Sequence, residues 1–190
     1  MHRTSRFAIV CLTVMAGSGV YAGEEVGWRD AQGKAIPQSD NIRSSNGFGG
    51  SVLITRDADW KEKWARPEPP EFHTTDQVAL GETVTALVFF TNPATDAKGD
   101  IRILCDYQLV RTDGTLSQDV RGLDCARGHL DGSPTNVRLV DQLVGFTGEA
   151  SDPEGSWMLR IRLTDAVRGA SVDLATKFDY LNTAVRTPAN

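Results

Sequence analysis

The chain has 190 residues, 40% of them hydrophobic, and a formal net charge of −5 from 20 basic and 25 acidic side chains. The lysines and arginines are scattered among acids instead of being gathered on one stretch, so the clustered basic face that a phosphate backbone requires is missing and no nucleic-acid partner is expected. The apolar content suits one domain with a real core.

The first residues carry His2, Arg3 and Arg6 without an acid, then an apolar run from Phe7 to Val20 and small residues at Val20 and Ala22. This is the pattern of a secretory signal peptide cut near Ala22, giving a periplasmic or secreted product. The run is broken by Gly17, Ser18 and Gly19 and is too short to span a bilayer, so no integral membrane protein is expected. Removal of residues 1–22 takes Arg3 and Arg6 and no acid, leaving 18 basic against 25 acidic side chains and a formal charge of −7. It also takes Cys11 and leaves Cys105 and Cys125, which in an oxidising compartment form a disulfide. The rival use of these cysteines, a metal site with His73 and His129, lacks the paired knuckles of a zinc module.

Residues 23–50 are polar, rich in Gly, Ser, Asn and Asp, and read as an extended arm. Residues 51–181 form the folded domain, opening with a short β-branched strand at 51–55 that the glycines at 47, 49 and 50 let bulge or approach its neighbours. One short helix is expected near residues 57–66, with Asp57 as its cap and Trp60 and Trp64 on one face, docked on the sheet. Pro67, Pro69 and Pro70 end it. The pattern is β thereafter. A strand at 78–80 precedes a long one at 82–91, nearly continuously apolar from Ala86 to Phe90. The central strand, 101–111, puts Ile101, Ile103, Cys105, Tyr107 and Leu109 on one side and turns at Asp113 and Gly114. A strand around 118–125 delivers the second cysteine. Another at 136–146 offers Val137, Leu139 and Val144 for burial, and 148–156 is an acidic loop. The last hairpin alternates Trp157, Leu159, Ile161 and Leu163 with polar residues, then Val172, Leu174, Phe178 and Tyr180 likewise, with Arg162 opposite Asp173 in one register. Residues 182–190 read as a frayed tail.

The strand entry Gly81, Glu82, Thr83, Val84, the segment Phe89 to Pro93, and the closing segment 155–165 with its partner strand resemble the immunoglobulin-like domains of bacterial secreted proteins. The resemblance is one of pattern over residues 78–181. It implies a mostly β, two-sheet antiparallel β-sandwich with one short helix, and binding or assembly more than catalysis. Unlike antibody-type domains, the chain has no Trp between its two bridging cysteines, which also lie close together in sequence.

No nucleophile elbow, phosphate loop or cofactor fingerprint is present, and the acids Glu149, Asp152 and Glu154 lack the spacing of a calcium loop. No catalytic residue, cofactor or metal ligand set is therefore assigned. By exclusion, the expectation is a non-enzymatic protein that binds a protein partner in the cell envelope, as an inhibitor or immunity-type protein or through an edge strand. Trp60, Trp64, Glu149, Asp152 and Glu154 are the candidate partner-binding residues, the acids as mimics of an anionic substrate. The alternative is an envelope protein that binds or hydrolyses carbohydrate or peptidoglycan through Trp28, Trp60 and Trp64.

Overall fold

The computed structural model describes Trp28 and residues 34–184. The expected signal peptide, most of the first third of the arm and the end of the tail lie outside the described residues. Among the described residues ten strands make two sheets, accompanied by one helix. The first contains β1 (Ile42–Ser45), β2 (Phe48–Thr55), β4 (Thr83–Thr91) and the short β7 (Arg138–Leu139), in that order, with β8 (Val144–Thr147) also paired to β4. The second runs β3 (Gln77–Leu80), β10 (Ala170–Ala184), β9 (Gly155–Asp165), β5 (Asp100–Val110) and β6 (Leu116–His129). All pairs are antiparallel except β3 with β10. This is the mostly β, sandwich-like arrangement the strand pattern implies, with α1 (Trp60–Trp64) as its short helix. Among the described residues no helix is long and apolar enough to cross a membrane.

The core is where the two alternating patterns meet. Val52, Ile54, Val84, Ala86, Val88 and Phe90 of the first sheet face Ile103, Tyr107, Trp157, Leu159, Ile161 and Leu163 of the second in one buried cluster. The final hairpin pairs as read, with Asp173 opposite Arg162 and their side chains 3.2 Å apart. Phe146 from β8 fills the centre of an aromatic group, its ring 5.1 Å from Trp157 and 4.8 Å from Phe178. Gly50 brings the sheets together, since a Cβ there would sit 2.7 Å from Val172 and 3.0 Å from Leu163. Cys105 and Cys125 are bonded to each other, which removes both thiolates from any metal set and ties neighbouring strands of the same sheet.

Several expectations need correcting. The sheet begins earlier than residue 51: β1 and β2 form a hairpin whose turn places Asn46 (φ 49) and Gly47 (φ 80) in left-handed conformations, as a two-residue Asn-Gly turn requires. Residues 136–146 do not form one strand. They split because Val140 still bonds Val88 of the first sheet while Asp141 donates to the Cys125 carbonyl of the second, so the chain changes sheets between β7 and β8. As a result Val137 is 45% exposed and Val140 takes the buried place. Asp57 is not the helix cap; Asp59 holds that position without a side-chain bond, because the Asp57 carboxylate is engaged elsewhere. Strand β10 runs on to Ala184, held by its pairing with β3, so the first residues of the expected tail belong to the sheet.

At one end of the sandwich a buried carboxylate stitches the turns together. Asp165 is fully buried and accepts bonds from the backbone N–H groups of Ala94, Val167 and Arg168, at 2.7, 3.1 and 3.0 Å. Arg168 lies against it and donates to the carbonyls of Asn46 and Asn92 at 2.9 and 3.0 Å. Removing one partner of such a buried ionic group is costly because the groups left behind are desolvated and unpaired. Asp165→Ala is therefore expected to lower unfolding stability by about 3–5 kcal/mol, read as a shift of the urea midpoint at unchanged slope.

Candidate functional site

The apolar run on β4 has an unusual consequence for the surface. Val88 and Phe90 point into the core, so Leu87 and Phe89 point away from it, yet they are only 0% and 6% exposed. The cover over Phe89 is the segment between β2 and β3. Trp64 of α1 packs on Phe89 with ring centroids 5.4 Å apart, and Phe72 approaches the same ring at 6.3 Å. Prolines at 67, 69 and 70 prevent the helix from continuing and turn the chain into an arch. The arch is pinned back to β2, where Thr55 Oγ1 donates to the His73 carbonyl at 3.0 Å and Thr75 N donates to Ile54 O at 3.0 Å.

Asp57 is the polar centre of this cover. Its carboxylate, 8% exposed, lies 2.8 Å from Lys63 Nζ and accepts the His73 backbone N–H at 2.9 Å. Its other oxygen is 2.8 Å from His73 Nδ1. The Lys63 hydrogen bond, with the two His73 contacts behind it, outweighs the cost of burial and holds the Asp57 carboxyl far below the usual carboxylate range; Lys63 is raised in return. An ionised Asp57 can only accept, so Nδ1 of His73 carries the proton and Nε2 is left outward on an 80% exposed side chain. This is the acid–histidine half of a hydrolytic triad, but among the described residues no hydroxyl or thiol is bonded to the His73 imidazole. Beside it a depression of about 600 Å³ is lined by Lys63, Arg66, Glu68, Glu71, Phe72 and His73.

On the other side of α1, Trp64 walls a second depression of about 310 Å³ where the two sheets part. Its floor is Phe90, Ile101 and Leu139, and its rim carries Val137, Arg127, His129, Arg138 and Asp141. Arg138 is fixed by three backbone carbonyls, those of Asp131, Ser133 and Asn136. Arg127 and Asp141 have no side-chain hydrogen bond or ion pair among the described residues, and neither has the indole N–H of Trp64. The mouth therefore combines an aromatic wall, an apolar floor and, at its edge, polar groups without side-chain hydrogen bonds, although the Arg127 charge also acts on Asp124.

The residues singled out from sequence fall into two separate groups. Trp64 forms the wall of the mouth. Trp60, half-buried one turn earlier, has Lys61 Nζ 5.3 Å from its ring centroid. Trp28 is occupied structurally, donating to the Gly50 carbonyl at 3.1 Å. Glu149, Asp152 and Glu154 do gather, but around Tyr180, whose hydroxyl donates to the Glu149 carbonyl at 2.7 Å. Asp152 accepts the Glu149 N–H at 3.0 Å and Glu154 accepts the Asn182 N–H at 2.7 Å, so these carboxylates help to hold their own loop. Burial first, then the three acids, raise the Tyr180 phenol. Sequence reasoning missed Arg127, Val137, Arg138 and Asp141. Among the described residues no cluster of three or more metal-ligating side chains occurs.

No protein-family profile matches the chain, and comparison with curated proteins finds no match. Among solved structures it is similar to a family 123 glycoside hydrolase from Clostridium perfringens that hydrolyses glycolipid glycans, with 10% identity and a TM-score of 0.37. The likeness covers 71% of this chain and 28% of that one, so the chain spans under a third of the enzyme. A likeness this distant transfers no site. It does correct the expectation of a non-enzymatic protein, and with it the inhibitor or immunity role. That expectation rested on missing local motifs alone, and their absence does not exclude catalysis.

The Asp57 network gives a signed pH dependence. A carboxyl whose folded value is depressed contributes stability that is complete above its unfolded value, about 4, and is lost as pH falls through the lower folded value. Asp57→Asn is thus expected to be less stable than the parent at pH 7, with the gap constant down to about pH 4 and closing only below it. Denaturant titrations at pH 7, 4 and 3 measure this.

Proposed function

We propose that this chain is a carbohydrate-binding β-sandwich whose glycan lies in the mouth walled by Trp64. The observation that carries the reading is the partly exposed indole with an unused N–H, set over an apolar floor and beside the side chains of Arg127 and Asp141, which make no side-chain hydrogen bond among the described residues. Sugar rings present C–H faces that pack on an aromatic ring and hydroxyls that need donors and acceptors, and a mainly apolar depression with a few convergent polar groups meets both needs. Asp141 accepts from hydroxyls, whereas Arg127 and the indole donate. The signal-like leader and the disulfide support a place outside the cytoplasm, where peptidoglycan and other polysaccharides are within reach. A bond-breaking step by the usual two-carboxylate route needs a second acid opposite Asp141, so product release is read alongside binding.

The test is affinity electrophoresis of the chain against soluble peptidoglycan fragments and cello-, chito- and xylohexaose, with reducing-end release followed in parallel. At least one glycan is expected to retard the chain. Trp64→Ala should weaken binding by about tenfold, the loss of an aromatic contact worth roughly 1.5 kcal/mol. Because Trp64 also packs on Phe89, Arg127→Ala serves as the variant that leaves the fold untouched, and it should weaken binding similarly. Retardation unchanged in both variants, or absent with every glycan, contradicts the proposal.

A further inference from the structure

The outer face of the second sheet carries a groove of about 390 Å³ that the packing of the domain does not require. Strands β10, β9 and β5 lie side by side there, and their outward residues form rows. Asp173, Arg162 and Asp106 make one row, and Ala175, Arg160 and Gln108 make the next. Arg121 from β6 and the pair Asp40 and Arg43 from the β1 side close the rim, the latter brought in by the bond from Ala175 N to the Asp40 carbonyl at 2.7 Å.

Most of these charges are accounted for. Arg43 pairs with Asp40 at 3.0 Å, Arg162 with Asp173 at 3.2 Å and Arg121 with Asp119 at 3.0 Å. One oxygen of Asp106 accepts the Gly122 N–H at 2.7 Å. Arg160 is the exception. Its cross-strand neighbours are Ala175 and Gln108, neither an acid, and it has no carboxylate partner among the described residues; its Nε is 3.3 Å from Met158 Sδ. Sheet surfaces gain from opposite charges placed across strands, and here the central arginine is set instead beside a small residue that leaves the space above it open. Around that guanidinium stand acceptors with capacity to spare: the second oxygen of Asp106 and the side-chain oxygen of Gln108, whose amide nitrogen is 3.4 Å from Asp119.

We propose that this groove binds a small ligand bearing a carboxylate together with hydroxyl groups, the carboxylate seated on Arg160 and the hydroxyls donating to Asp106 and Gln108. The planar fork of a guanidinium matches a carboxylate in two parallel hydrogen bonds. A phosphate dianion would suffer repulsion from Asp106 and Asp173 on either side of Arg162, whereas a single carboxylate reaches Arg160 in the neighbouring row and its hydroxyls turn those acids to use. The same chemistry is offered by an acidic sugar within a glycan and by a free hydroxy acid. The site is separate from the Trp64 mouth and stands or falls independently of the carbohydrate reading given above.

Isothermal titration of the full chain with trigalacturonate, its methyl ester, malate and inorganic phosphate tests the inference. Trigalacturonate or malate is expected to bind, the tighter of the two identifying the source as acidic sugar or free hydroxy acid. The uncharged methyl ester should bind at least about tenfold more weakly than trigalacturonate. Arg160→Gln should reduce binding by about tenfold or more, with Arg160→Lys falling in between because it keeps the charge and loses the fork. Arg102→Gln, which breaks the exposed pair with Asp124 outside the groove, should leave binding unchanged. Equal binding of acid and ester, tighter binding of phosphate, unaltered affinity in Arg160→Gln, or no binding by any probe overturns the proposal. Melting curves of the variants separate loss of the site from loss of the fold.

Discussion

Strand β4 has to bury both of its faces. The run from Ala86 to Phe90 leaves Leu87 and Phe89 opposite the core side, where an exposed pair of large apolar residues on a central strand would cost about 1.5–3 kcal/mol each relative to burial. A two-sheet sandwich covers one face of each sheet, so the remaining cover comes from the α1 helix and the proline arch. The helix is only five residues long and would not persist alone; Trp64 on Phe89 and the Asp57 network hold it in place. An indole anchored in this way at the seam between the sheets becomes a wall of the mouth. The candidate site is in this sense a by-product of how β4 is packed.

Two buried or nearly buried aspartates do comparable work at different places. Asp165 ties three turns through backbone N–H groups and Arg168, and Asp57 ties helix to arch through Lys63 and His73. Both are local solutions to the same requirement, that loop backbone brought near the core must find hydrogen-bond partners. Neither needs a ligand to be satisfied. Arg127, Asp141 and Arg160 differ in having no side-chain salt bridge among the described residues, which is why the proposed sites rest on them.

Much of the architecture was legible in the sequence because period-two alternation is a strong signal. The hairpin of β9 and β10, its Arg162 to Asp173 pairing, the central strand and the Cys105 to Cys125 bond all follow from it and from the cysteine count. The β1–β2 hairpin was also written there, in Asn46 and Gly47, but the polar composition around it obscured two short strands. The crossover at Val140 and Asp141 was not legible, since a change of sheet leaves no mark on alternation. The same holds for the site. Trp64 stood out as an aromatic at helical spacing, whereas Arg127 and Asp141 reach it only through the end of β6 and the crossover. Excluding catalysis from missing motifs went beyond what the sequence allowed, because sites assembled from distant strands carry no local motif.

Three of the four tryptophans provide an internal comparison for the central claim. The indole N–H groups of Trp28 and Trp157 are already bonded to the carbonyls of Gly50 and Pro153, at 3.1 and 3.0 Å, while that of Trp64 has no acceptor among the described residues. The most direct measurement is a nitrogen–proton correlation spectrum of the indole signals during titration with a hexasaccharide. Binding in the mouth predicts that the Trp64 signal moves while those of Trp28 and Trp157 stay fixed. A titration in which Trp64 is unmoved, or in which Trp28 or Trp157 shifts instead, would contradict it.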